Sequence, residues 1–535
     1  AGYFKSNGSN PGGSLTQYGT WSATQQTAAT DDAMIEFLRG QSRYEDEATN
    51  TTRLFRDRTY ALGDIVNAAP VFVKKPPFKY TDTGYTSFVS ANVDRAGTVY
   101  VGANDGMLHA FDAETGNERW AYVPSAVIPT LYRLADAGYA NNHRYYVDGP
   151  ITVGDAYDGS QWRTVLIGGL GRGGKSFYAL DVTNPASPKA LWEFGTAQDG
   201  DMGYSYGNAV LTKRASDGKW VVLIASGYNN TGGDSKGRLY VLDAITGAIL
   251  SEIITDNSVN DPDLSGIAKI SNWVLNTLVD NSTQYVYGGD LGGALWRFDL
   301  SANTSQRLGR TSATAGNQPI TVRPEVARVR DTAGNYYRAV YFGTGRYLGF
   351  GDLAVTAPSS TVAQAIYAVK DTGTDLGVLT SAGAKLVAQT VDSSGDAAGL
   401  PRTIPNPVAV DWQAQNGWYV NTPVGERVNV DLKLQLGTLV GVSNKPDDDY
   451  CFVGGKSWLF ALDYRTGAAI QGQQTTAVGF PIGASIATGV TLVRLPTNKL
   501  IAIVTQADTT VRAMSVPVAP GAAAGVRRMG WREIY

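Results

Sequence analysis

The chain has 535 residues and a formal charge of −3, from 45 Lys and Arg against 48 Asp and Glu, and no basic run gives it the footprint of a nucleic-acid binder. No apolar stretch approaches the roughly 18 residues that span a bilayer. One cysteine, Cys451, excludes an intrachain disulfide and is expected to serve as a small buried hydrophobe inside a strand.

The opening residues, AGYFKSNGSNPGGSLTQYGTW, are polar and Gly/Ser/Asn-rich, with neither the basic nor the apolar region of a signal peptide. That is the composition of a linker, as expected in the distal part of a longer chain. One helix is readable next. Thr30 is its N-cap, Asp31 and Asp32 fill the first turn, Met34, Phe37 and Leu38 share a face, and Gly40 is the stop.

Almost everything after it reads as strand and turn. Six stretches close alike: HAFDAETGNERW from His109, YALDVTNP from Tyr178, YVLDAITGA from Tyr240, WRFDLSANT from Trp296, YAVKDTG from Tyr367 and FALDYRTGA from Phe460. Each is an alternating strand ending on Asp-x-x-Thr-Gly or a worn form of it. Asp bonds the backbone ahead of it, and Gly takes the positive φ of a bulged hairpin. Each closing strand follows a β-branched or aromatic run and a Gly-rich bend, and a further strand follows the Thr-Gly turn. With the fainter units at RAVYFGTG and at 500–516, seven units of three or four strands are counted. Repeats of this kind predict an all-β, seven-bladed propeller with long loop insertions. A β-sandwich needs no such repeat. The expected division is a propeller over 62–535, with 1–61 packed on its side as a short helical appendage.

Catalytic signals do not survive their context. Gly169 to Ser176 spell G-x-x-x-x-G-K-S, but Ser176 runs straight into the strand FYALDV, whereas a P-loop feeds a helix N-terminus. His109 stands where other repeats carry Tyr, Trp or Phe, and His143 has no nucleophile nearby. No spacing suits zinc. No catalytic or organic-cofactor residue is assigned. The inserts 125–160, 255–283, 348–365 and 374–447 are the candidate interaction loops.

Two families resemble these motifs. Ala110 to Trp120 read A-x-D-x-x-T-G-x-x-x-W, similar to the docking repeat of quinoprotein dehydrogenase propellers, in which the Trp clamps neighbouring blades. That family's quinone site commonly uses a vicinal disulfide, which one cysteine cannot form. The longer match runs through RLFRDRTYALGDIVNAAPVFV (53–73), VYVGANDGMLHAFDAETGNERWAYVPSAV (99–127), YYVDGPITVGDAY (145–157), VLIGGLGRGGKSFYALDVTNP (165–185) and VYGGDLGGALWRFDLS (286–301). This resembles the C-terminal domain of the PilY/PilC family of type IV pilus biogenesis factors and tip-associated adhesins.

The resemblance implies a modified seven-bladed propeller and a non-enzymatic role at the periplasm, outer membrane or pilus tip. It also implies pilins as partners, support of pilus assembly against retraction, twitching motility, and attachment to host or abiotic surfaces. The alternatives are a quinoprotein-like oxidoreductase and an outer-membrane assembly scaffold. Some relatives carry an Asp-x-Asn-x-Asp-x-x-x-Asp calcium loop before the strand corresponding to YVYGGDLGG. Here the five positions hold Asn276, Leu278, Asp280, Ser282 and Gln284. Leu278 offers no side-chain oxygen and only Asp280 a formal charge, so calcium binding is expected to be weak or absent. A second oxygen-rich loop, Asp256 to Asp263, lacks the Gly and the bidentate Glu of an EF-hand.

Overall fold

The computed structural model describes residues 15–256, 264–354, 356–447, 454–471, 476–497 and 499–519; Cys451 and most of the 256–263 loop lie outside them. Seven sheets, antiparallel apart from one short parallel edge strand in each of the third and fifth, follow one another along the chain. The first shows the common plan: Val71–Val73, Thr98–Ala103, Met107–Asp112 and Glu118–Tyr122, in that spatial order. The second comprises Ile151–Tyr157, Trp162–Gly169, Ser176–Asp181 and Lys189–Gly195. Blade four repeats it, blade three adds Ser282–Thr283 beside its innermost strand, and blades five and six carry extra outer strands from the long insert between Lys370 and Gly417. Among the described residues blade seven has three strands, Ala487–Arg494, Leu500–Gln506 and Val511–Val516.

The repeated turn works as its residues require. Asp112 Oδ1 accepts from the Glu114 and Thr115 amides at 2.8 and 3.0 Å, and the Gly116 amide donates to the Asp112 carbonyl at 2.9 Å. Asp243 and Asp463 repeat the arrangement, with Gly247 and Gly467 at φ of 69° and 70°. In the first three blades a bulge falls at the same place, between the two residues preceding the Asp (Ala110/Phe111, Ala179/Leu180, Val241/Leu242). Three residues before the turn Asp or its equivalent, Tyr178, Tyr240, Trp296, Tyr367 and Phe460 are buried between sheets. Each such burial contributes roughly 1.5–3 kcal/mol.

Tryptophans join the blades. Trp120 Nε1–H donates to the Pro185 carbonyl (2.8 Å), Trp192 to Ala244 (3.1 Å) and Trp418 to Tyr464 (3.1 Å), each reaching the turn of the following blade. The clamp legible only at Trp120 is therefore used three times. A Cβ on Gly247 would come within 2.5 Å of the Trp192 ring, and one on Gly467 within 2.4 Å of the Trp418 ring. Glycine serves the turn and the clamp together.

Two expectations are corrected. The inserts 125–160, 255–283 and 374–447 are not only loops, since they contain Ile151–Tyr157, Ile267–Asn272, Gly417–Asn421, Lys433–Gln435 and Thr438–Pro446. Most of these are axial strands, which read poorly because polar and glycine residues interrupt their apolar alternation. The helical content is also wider than one segment. Besides Asp31–Leu38, capped by Thr30 Oγ1 accepting from the Ala33 amide (3.3 Å), helices form at Ala23–Ala28 and Tyr85–Ala91, with a 3-10 segment at Ile128–Ala135. Met34 and Phe37 bury themselves in one cluster with Leu131, Leu134 and Tyr139, which fastens the N-terminal helices to the connection leaving blade one.

Candidate docking site: the axial channel and its loops

The axial strands enclose a cavity of about 1140 Å³ lined from every blade. Its wall is mixed: polar Asn208, Asn272, Thr321 and Asn429 stand among apolar Val71, Val153 and Val430. Two of its charges are paired across it. Lys269 Nζ lies 2.7 Å from Asp431 Oδ1, which also accepts from the Arg323 amide at 2.9 Å. Burial opposes ionisation of Asp431, but Lys269 and Arg323 outweigh it and hold its pKa at about 2.

Each end of the channel has its own loops. At the end that carries the Gly-rich bends, Tyr145, Arg172, Tyr206, Tyr228 and Tyr347 border the cavity, and Arg172 stacks 5.0 Å from the Tyr145 ring. The segment 62–70 runs along this end, tied down by acidic side chains. The Gly63 amide donates to Asp105 Oδ2 (2.9 Å), and the Asn67 amide to Asp148 Oδ1 (2.7 Å).

At the opposite end, which carries the Asp-x-x-Thr-Gly turns, Phe78, Tyr80, Thr277 and Asn281 border the cavity. Here two inserts meet, with the Lys79 amide donating to the Leu278 carbonyl at 2.7 Å. This places the degenerate calcium positions. Asp280 accepts from Ser282 Oγ (2.6 Å) and sits 3.2 Å from Lys213 Nζ, which also binds both oxygens of Asp82 at 2.8 and 3.0 Å. Asn276 Oδ1 accepts from the Leu278 amide (3.3 Å), and Gln284 Nε2 donates to the Tyr285 hydroxyl (3.1 Å). Asn276 and Gln284 are each engaged with a neighbour, and an ammonium group provides a counter-charge to Asp280. Sequence reading missed Lys213, which lies 67 positions upstream on another blade.

The remaining chemical candidates resolve as structure. Gly171–Gly173 is a 3-10 turn between strands Trp162–Gly169 and Ser176–Asp181, and Lys175 Nζ donates to the Asn229 carbonyl (2.5 Å). His109 lies between Glu118 (2.6 Å) and Asp105 (3.0 Å). Burial lowers its pKa, but the two carboxylates outweigh burial and raise it. His143 bonds Asp64 at 2.9 Å. Neither histidine faces a Ser or Cys. Among the described residues, no helix is long and apolar enough to cross a membrane.

Comparison with known proteins agrees with this architecture. Residues 62–401 match the family model described as the PilY1 beta-propeller domain. A type IV pilus biogenesis factor PilY1 homolog from Xylella fastidiosa is 34% identical over 87% of this chain, and PilY1 from Pseudomonas aeruginosa is 35% identical over 81%. The aligned regions cover 33% and 40% of those relatives, so the chain spans well under half of their length. The crystal structure of the Pseudomonas aeruginosa PilY1 C-terminal domain superposes with a TM-score of 0.64 at 27% identity, covering 84% of this chain and all of that one. With its seven sheets in sequence, its Asp-closed turns and this match over most of its length, the chain belongs to the PilY1 β-propeller family of type IV pilus biogenesis factors.

Proposed function

We propose that this domain is a non-catalytic docking scaffold within a pilus biogenesis factor, and that its partners are major or minor pilins. In this reading it supports pilus assembly, opposes retraction, and promotes twitching motility and surface attachment from the periplasm, outer membrane or pilus tip. Membership of the PilY1 propeller family carries the proposal. The layout supports it: a frame clamped by Trp120, Trp192 and Trp418 holds long connections at both ends, while Lys269 in the channel is paired with Asp431. The same tryptophans account for the quinoprotein-like motif as a blade clamp. Calcium plays a weak role or none at 276–284, where Lys213 serves Asp280. The test is deletion of residues 62–535 from the parent chain with surface pili quantified by shearing and immunoblotting. A fall in piliation and twitching is expected; unchanged values in cells that export the truncated parent would refute the proposal.

A further inference from the structure

A second cavity, of about 300 Å³, lies where the N-terminal helices meet blade one, bordered by Leu38, Arg56, Arg58, Tyr60, Asp64 and Asp105. Arg56 and Arg58 differ in one respect. Arg58 stacks 3.7 Å from the Phe37 ring, and its fork is filled by Glu45, with Nε at 2.8 Å. Arg56 stacks 4.7 Å from the Tyr139 ring and donates Nε–H to the Leu134 carbonyl (2.5 Å), but its two terminal nitrogens have no partner among the described residues. Burial and the neighbouring Arg58 both lower its pKa, as for a cation short of counter-charge.

The rest of the cavity fixes the charge of a ligand. Asp64 is already served by Asn104 (2.8 Å) and His143, and Asp105 by His109 and the Gly63 amide. A dianion would meet two carboxylates; a single carboxylate matches the one open guanidinium fork. Beside the cavity runs an apolar strap in which Tyr60 is 81% and Leu62 43% exposed, continuing to exposed Ile65 and Val66. Four large apolar side chains within seven residues form a contact strip rather than scattered surface.

We infer that this seam captures an extended segment of a partner protein, an acidic side chain entering the cavity against Arg56 while its apolar neighbours lie on Tyr60 and Leu62. The assignment rests on the reading of this domain as a docking scaffold, yet it is tested in vitro, apart from piliation. The probe is the N-acetylated, amidated peptide Ala-Leu-Glu-Leu-Ala, titrated into the whole chain by ligand-observed NMR, with its Gln counterpart and free glutarate as controls. Binding of the Glu peptide should weaken roughly tenfold with Gln, with Arg56→Met and with Leu62→Ser, while Arg56→Lys should retain part of it. Thermal unfolding of each variant separates loss of the site from loss of the fold. Absence of binding, equal binding of the Gln peptide, or full binding by a folded Arg56→Met variant would overturn the site. Glutarate binding as tightly as the peptide would overturn the partner-segment assignment.

Discussion

Single residues carry two tasks at the blade turns, and this makes them sensitive. Gly467 needs its φ of 70° for the Asp463 turn and lies flat under the Trp418 ring. Gly467→Ala should therefore lower the apparent Tm more than Gly116→Ala, where a Cβ meets nothing within 4 Å; Trp418→Ala should cost about 3–5 kcal/mol. Differential scanning calorimetry of the three variants checks the order, and equal effects of the two Gly substitutions would contradict it. Two aspartates, partly exposed Asp431 and buried Asp290, give the pH profile opposite slopes. Asp431, held at about 2 by Lys269 and Arg323, contributes stability that is complete above its unfolded pKa near 4 and is lost as pH falls toward 2. Asp290 is pushed by burial to about 6, although it accepts from Trp296 Nε1 (2.8 Å) and the Ala294 amide (2.8 Å). Its contribution is present below pH 4 and lost as pH rises through 6. Lys269→Met should accordingly move the acid midpoint of unfolding upward without changing the limb between pH 4 and 6. An unchanged acid midpoint would show that the channel pair does not set it.

At the scale of elements, the long insert after Lys370 is fastened by buried charge. Arg402 is fully enclosed, bonds Glu426 (2.9 Å) and Asp396 (2.9 Å), and stacks 3.9 Å from the Trp458 ring. Arg402→Met leaves Glu426 buried without its cation and should cost about 3–5 kcal/mol, read by thermal unfolding and by proteolysis within 371–417. A neutral result would show that the insert is held by its strand pairing alone. At the other insert, calcium should neither raise Tm nor give calorimetric binding, since Lys213 already occupies the space between Asp82 and Asp280. Sub-micromolar calcium binding lost on Asp280→Ala would prove this wrong. What was legible in the sequence follows from the same elements. The hairpins ending on Asp112, Asp181, Asp243 and Asp463 announce themselves because turn chemistry and alternating burial coincide. The axial strands do not, because Lys269, Asn272 and Lys433 line the channel and break the alternation. Trp192 and Trp418 escaped the docking pattern because insertions separate them from their turn Asp, and Arg56 shows its open fork only once Glu45 is seen to fill that of Arg58.

The whole molecule is a succession of seven blades around one axial cavity, with tryptophan clamps at three of its junctions and long connections at both ends. Helices at 23–38 and inserts at both ends of the channel add surface without adding chemistry. The most direct test of docking is site-specific photo-crosslinking in piliated cells, with the photoreactive residue at exposed Val424 on the bend end, exposed Leu278 on the turn end and Tyr60 on the strap. The account predicts covalent adducts with pilin subunits from at least one of these positions, lost when the crosslinker is moved to buried Val442. Adducts absent from all three positions in cells that display folded parent protein and pili would contradict it.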